Sequence, residues 1–411
     1  MSELQHVVVV GASLAGLRAC EALRSEGFDG TVTLIGAEPH VPYDRPPLSK
    51  RVLSGEWEPD RILLRRADAL DELRLDLRLG LRAECFEADT RCVSLADGTT
   101  LRPDAVILAT GASPRRLPGQ PDLPGIFELR TLDDSLALRY ALSADPAPRV
   151  VVIGAGFIGL EVAATARSRG LDVTVLEGAA APLVRALGAE MGTAVARIHE
   201  DHGVPIHCGV VVTAIEGTER VEGVRLGDGS LVPADVVVVG IGVGPTTDWL
   251  EGSGLELRDG IVCDATLRAV GTDAVYAAGD CLRWPNGLFG EEMRIEHWTN
   301  AAEQGAAAAG NLLAVAAGRE PIPYRPVPFF WSDQYDARVQ FVGRAAEGDE
   351  VRIVHGSPEQ RRFVALYRGA DGMLHGALGL SVPKLLMPYR RQLDPRVSWD
   401  DALAFAAAQA T

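Results

Sequence analysis

Residues 149–177 read RVVVIGAGFIGLEVAATARSRGLDVTVLE. The β-branched run Val150 to Ile153 predicts a buried strand. Gly154-Ala-Gly156-Phe-Ile-Gly159 then opens an apolar helical stretch, and a second strand ends on Glu177. The three glycines serve different ends, namely the tight turn, close approach of backbone to a pyrophosphate, and close helix–strand packing. The N–H groups and dipole at the helix start favour a phosphate there. Glu177, about 20 residues further on, can accept from both hydroxyls of an adenosine ribose and repels a 2′-phosphate. Residues 178–183 hold no Lys or Arg, so NAD(H) is expected rather than NADP(H). A full G-x-G-x-x-G in this strand–turn–helix–strand setting is a strong signal.

A second copy lies at residues 6–38, HVVVVGASLAGLRACEALRSEGFDGTVTLIGAE. Gly11 corresponds to Gly154, Ser13 replaces the middle glycine, and Gly16 and Glu38 match Gly159 and Glu177. Serine is the smallest substitute, and its hydroxyl can donate to phosphate. Two such units in one chain suggest one bound dinucleotide passing electrons to another.

Between and beyond the repeats the pattern alternates strand and helix. Strands are expected at 75–81, 92–95, 105–109, 210–215, 221–226 and 235–240, with an Ala-rich helix at 301–317. Pro-rich 114–124 and the GIGVGP turn at 240–245 look like crossovers. The tail from Phe329 reads as a strand-rich module closing on a helix at 399–410. The expected class is α/β: two three-layer Rossmann-like dinucleotide domains plus a C-terminal α+β domain. The expected division is 1–113 with 246–320, then 114–245, then 321–411.

With 411 residues the chain can bury cores without staples. A net charge of −16 excludes a general nucleic-acid binder. No uncharged run has membrane-spanning length, and the N-terminus lacks a basic n-region and long apolar core, so a cytoplasmic protein is expected. The six cysteines form no C-x-x-C pair and are expected as reduced, buried thiols, with no metal site.

Five pieces together resemble the two-dinucleotide-domain flavoprotein reductases of glutathione-reductase-like fold, in the branch of NADH-dependent ferredoxin reductases that takes in the putidaredoxin, rubredoxin and ring-dioxygenase reductases. They are GASLAG with Glu38; PYDRPPLSK at 42–50; ATG at 109–111 followed by Leu129-Arg130-Thr131; TDAVYAAGD at 272–280; and RIEHWTNA at 294–301. The resemblance spans essentially the whole chain and implies FAD and NAD(H) as cofactors. It places Gly11, Ser13, Leu14, Ala15, Gly16 and Glu38 at the FAD pyrophosphate and adenosine ribose, and the Ala83 backbone at the adenine. Arg45, Ala109, Thr110, Gly111, Arg130, Gly279, Asp280 and Trp298 would complete the FAD site. Lys50 would lie near flavin N5, paired with Glu161, and these two are the catalytic candidates. Gly154, Gly156, Phe157, Ile158, Gly159, Glu177, Gly242 and Glu296 would hold the NAD, with Glu296 orienting the carboxamide.

Bland readings stand beside these. Lys50 can be a solvated loop lysine, Asp280 a plain N-cap, and Glu161 a surface carboxylate favoured by the helix dipole. Phe157, Trp298 and Trp331 can be core aromatics, and His297 a packing residue.

The disulfide reductases of this fold keep C-x-x-x-x-C where this chain has PYDRPPLSK, and the H-P motif of their dimerisation domain is absent too. Electrons must leave the flavin by another route. The implied activity is transfer from NADH through FAD, one electron at a time, to a [2Fe–2S] ferredoxin serving a cytochrome P450 or ring-hydroxylating oxygenase. The alternatives are a redox-controlled interaction protein resembling apoptosis-inducing factor and an NADH reductase of a small-molecule acceptor. Monomer and weak dimer both remain open. An acidic ferredoxin would need a local basic patch, for which Arg65, Arg66, Arg294, Arg338, Arg390 and Arg391 are candidates.

Overall fold

The computed structural model describes residues 4–409. The chain forms two compact units: Met1–Asp44, Ile62–Ser113 and Gly244–Pro328 make the first, and Arg45–Arg61, Pro114–Val243 and Phe329–Thr411 the second. Segment 45–61 therefore belongs with the second dinucleotide fold, although it directly follows the first repeat.

Each repeat builds the centre of a parallel five-stranded sheet. In the first unit the order is Val275–Ala277, Ala105–Leu108, His6–Val10, Thr31–Gly36, Asp76–Leu79. In the second it is Ile206–Cys208, Asp172–Glu177, Arg149–Ile153, Val236–Val239, Ile126–Phe127. Parallel strands covered on both faces must be apolar throughout, which explains why Val7 to Val10 and Val150 to Ile153 are buried without alternation. Antiparallel three-stranded sheets flank both, one from Ala83–Glu87, Cys92–Leu95 and Thr100–Leu101, the other from Val212–Gly217, Val221–Leu226 and Leu231–Pro233.

In the first unit the helix Leu14–Ser25 packs along Trp298–Ala316. Gly305 makes the crossing close: a Cβ there would lie 2.2 Å from the Ala15 carbonyl oxygen. The tail is a five-stranded antiparallel sheet ordered Phe329–Gln334, Ala337–Gly343, Leu374–Leu380, Arg362–Arg368, Glu350–Ser357. It ends in the helix Trp399–Gln409; Ala410, expected in that helix, lies outside the described residues, as do Met1 to Glu3. Its Phe341, Phe363 and Leu378 share one core with Val152, Leu160 and Val195 of the dinucleotide fold.

The cysteines are free, but the expectation of burial needs correcting: Cys85 is exposed and Cys208 half-buried, and only the other four are buried. A register shift between Ala83 and Cys85 breaks the alternation of this edge strand, so Glu84 and Cys85 are both exposed. Among the described residues no helix is long and apolar enough to cross a membrane, and no group of His, Cys, Asp or Glu is arranged to hold a metal ion.

Gly305→Ala is expected to lower stability by about 1–3 kcal/mol through backbone overlap. Gly310→Ala on the same helix meets only the tip of the Glu26 side chain, and should raise stability by up to about 1 kcal/mol through helix propensity. Urea denaturation of both variants checks the opposite signs.

Candidate functional site

The two glycine-rich turns repeat one another atom for atom in their constraints. Gly11 and Gly154 have φ of 120° and 106°, a region closed to other residues. Their N–H groups donate to Ile35 O at 2.8 Å and Leu176 O at 2.7 Å, tying each turn to the neighbouring strand. A Cβ on Gly11 would sit 2.1 Å from Ala109 O, and one on Gly154 2.3 Å from Gly240 O. A Cβ on Gly16 or Gly159 would lie 1.9 or 2.1 Å from the Gly11 or Gly154 carbonyl oxygen. Gly156, by contrast, faces open space, with nothing within 4 Å of an added Cβ. That gap at the N-terminus of helix Phe157–Ser168 suits a phosphate.

In the second unit a cavity of about 300 Å³ opens at this turn, lined by Gly154, Gly156, Glu177, Arg185, Val211 and Ile241 among others. Glu177 ends its strand with both carboxylate oxygens held, accepting from Ala155 N–H at 2.6 Å and Ala179 N–H at 2.7 Å. It therefore clamps the turn while keeping lone pairs for a ribose. Arg185 lies beyond the cation-free window 178–183 and reaches Gly242, its Nη2 3.4 Å from where a Cβ would be. A fixed window along the chain misses it because the helix brings it back over the cavity. Phe157 is partly buried, its ring 5.0 Å from that of Phe330, while Ile158 is exposed.

In the first unit Leu14 and Ala15 are buried at the helix start. Glu38 accepts a hydrogen bond from the Tyr43 hydroxyl. Ala83 is buried on its strand, opposite Leu95. Thr110 donates to Thr246 O at 2.8 Å, and Gly111 O accepts from Thr246 N at 2.9 Å. Gly279 N donates to Gln304 Oε1 at 2.9 Å, while the buried Nε2 of Gln304 has no hydrogen-bond partner. This orphaned donor beside Gly279, with the close-packed turn at Gly11–Gly16, fits a second dinucleotide. Trp298 donates from Nε1 to Asp44 Oδ1 at 2.6 Å. Glu296, expected at the NAD carboxamide, lies in the first unit, where it is exposed and pairs with Arg294 at 2.7 Å.

Lys50 and Glu161 meet in the second unit. Lys50 Nζ is 2.6 Å from Glu161 Oε2 and donates to Pro46 O at 2.9 Å. Glu161 is only 2 % exposed, which rules out the surface helix-start reading. Ser49 donates to its Oε2 at 2.5 Å and Ser332 to its Oε1 at 2.6 Å. Neither serine is singled out by sequence, since Ser332 stands 171 residues away and no local pattern links them. Arg45 donates to Arg130 O at 2.6 Å, and Arg130 N to Asp134 Oδ2 at 3.0 Å, which docks this segment on helix Leu132–Ala141. Beyond Ser332 the polar contacts continue through Gln334 to the buried His199, whose ring burial lowers its pKa to about 4.

Several of the arginines that could serve partner docking are already paired. Arg65 bonds Glu21, Arg294 bonds Asp259 and Glu296, and Arg338 bonds Asp333.

Residues 5–305 match the family model for pyridine nucleotide-disulphide oxidoreductase, and residues 329–410 match reductase C-terminal. The chain is 39% identical to rhodocoxin reductase of Rhodococcus erythropolis over 87% of its length and 82% of that protein. It is 38% identical to the ferredoxin–NAD(+) reductase component of the anthranilate 1,2-dioxygenase system of Burkholderia cepacia, over 93% of each. Among solved structures, the covalent putidaredoxin reductase–putidaredoxin complex is similar with a TM-score of 0.88 and 33% identity, covering 95% of this chain and 93% of that one.

Lys50→Met would leave a buried carboxylate without its cation and should cost about 3–5 kcal/mol, with much of the loss recovered in the Lys50→Met/Glu161→Leu double variant; urea midpoints measure both. The His199 proton gives a pH dependence. Unfolded, the ring titrates near 6.5; folded, it stays neutral down to about 4. The unfolded chain binds the extra proton between these values, so this stability is complete above pH 6.5 and falls by up to about 3 kcal/mol as pH drops to 4. His199→Gln should remove that slope from urea midpoints taken across the same range.

Proposed function

The chain belongs to the pyridine nucleotide-disulphide oxidoreductase family, and on that basis we propose that it is an NADH-dependent ferredoxin reductase. It would pass electrons from NADH through FAD, one at a time, to a [2Fe–2S] ferredoxin that serves a cytochrome P450 or ring-hydroxylating oxygenase in the cytoplasm. One observation carries this reading. Two phosphate-binding turns occur with a Lys50–Glu161 pair, and residues 42–50 offer no thiol for disulfide chemistry. The similarity to named ferredoxin reductases over nearly the whole chain supports it.

NADH would be held in the second unit. Its pyrophosphate would meet the N–H groups after Gly156, with Arg185 contributing positive charge and Glu177 taking the ribose hydroxyls. Phe157, Ile158 and Gly242 would complete that site. In the first unit Gly11, Ser13, Leu14, Ala15 and Gly16 would hold the FAD pyrophosphate. Glu38 would take the adenosine ribose, Ala83 the adenine, and Gly279 with Asp280 the ribityl chain. FAD, when bound, supplies the conversion of a two-electron donor into single electrons. Lys50, turned and held by Glu161, is the cation proposed for the negative charge that reduction puts on the flavin.

The purified protein should be yellow, and stopped-flow mixing with NADH should bleach it at least about 100-fold faster than NADPH, since a 2′-phosphate meets the Glu177 carboxylate. Glu177→Ser should narrow that preference by about tenfold or more. A [2Fe–2S] ferredoxin should then be reduced far faster than by free FAD. Acceptor reduction no faster than with free FAD would sink the proposal. Slow turnover with NADH-dependent assembly would point to an interaction protein, and a preference for quinone-like acceptors to a small-molecule reductase.

A further inference from the structure

The polar contacts leaving Glu161 extend well past its pair with Lys50. Ser332 Oγ donates to Glu161 Oε1 at 2.6 Å and accepts from Gln334 Nε2 at 3.1 Å. Gln334 Oε1 lies 2.9 Å from His199 Nε2, and the Tyr335 hydroxyl 3.4 Å from His199 Nδ1. The Tyr335 ring stacks on that of the exposed His202, with centroids 3.7 Å apart. Ser332 and Gln334 are each 1 % exposed and His199 0 %. All of these groups lie in the second unit.

Hydrogen-bonding capacity fixes the direction of every bond. An amide oxygen only accepts, so His199 carries its proton on Nε2. An amide nitrogen only donates, so Ser332 receives it on a lone pair and spends its single proton on Glu161. A neutral His199 then accepts at Nδ1 from Tyr335. The protons all point one way, and the run of aligned dipoles ends on the carboxylate. Such alignment strengthens each bond in a low-dielectric interior. It does not make a proton path, because the Gln334 amide would have to change tautomer to pass one on. Apolar side chains would fill the same space without the cost of desolvation. A purely packing role therefore leaves the direction of the chain unexplained.

We propose that Ser332, Gln334 and His199 are positioning residues for the Glu161–Lys50 pair, a one-way donor chain that keeps Glu161 an acceptor and so holds the Lys50 ammonium turned and charged. Lys50 is the cation on Glu161, with Ser49 its second hydroxyl donor; His199 faces Tyr335 and, through it, His202. The inference rests on the reductase reading for its kinetic readout only.

The test has two arms on the holoprotein. Long-range 15N NMR should show His199 neutral and protonated on Nε2 at pH 7; an Nδ1–H tautomer overturns the chain whatever the activity. In stopped flow, Ser332→Ala should move the acid limb of the pH profile for flavin reduction by NADH up by about one unit, with the rate at a fixed pH on that limb up to about tenfold lower. The KM for NADH should not change, and Ser332→Thr should restore the wild-type profile. Gln334→Met should act in the same direction and serves if Ser332→Ala does not fold. Wild-type pH profiles in both variants overturn the proposal. A wild-type protein that NADH does not reduce ends the reductase reading instead, while the NMR arm still judges the chain.

Discussion

A carboxylate with 2 % exposure dictates much of the second unit. Glu161 sits on the first turns of the helix that follows the glycine-rich loop, inside an apolar core where an unpaired charge could not persist. Its oxygens are met by Lys50 and Ser49 from segment 45–61 and by Ser332 from the first strand of the C-terminal sheet. Three remote stretches of chain are thereby brought to one point. The same requirement explains why segment 45–61 belongs to this unit and why the C-terminal sheet shares its core.

The glycines of the two turns answer to sterics before chemistry. In each copy the first and last glycine would collide with backbone oxygen if they carried a Cβ, which pins strand, turn and helix together. The middle position differs, because Gly156 has free space before it. The same freedom accords with a serine at the middle position of the first copy, since the packing of the second turn leaves room for a side chain there.

Charge is distributed against the simplest picture of partner docking. The chain carries −16 overall, and Arg65, Arg294 and Arg338 are each bound to carboxylates of their own unit. An exposed pair such as Arg338–Asp333 contributes little stability, while Arg294 is largely buried in its pairs. Their effect is to neutralise the very arginines that a reading of composition would offer to an acidic partner. Complementarity to such a partner must then come from the local arrangement of charges.

The parallel sheets, both phosphate-binding turns and the residues at their strand ends are legible in the amino-acid order alone. These features are local: a β-branched run, glycines at fixed spacing and an acidic residue after the second strand suffice to specify them. Expected strands at 92–95 and 221–226 match the structure, and others shift by a residue or two where strand ends have no side-chain marker. Folding in three dimensions was needed to settle the surroundings of Glu161, the place of Arg185 over Gly242, and the pairing of Glu296 with Arg294. Those depend on contacts between distant segments, where the cost of burying a charge selects its partners and nothing in the nearby sequence records the choice.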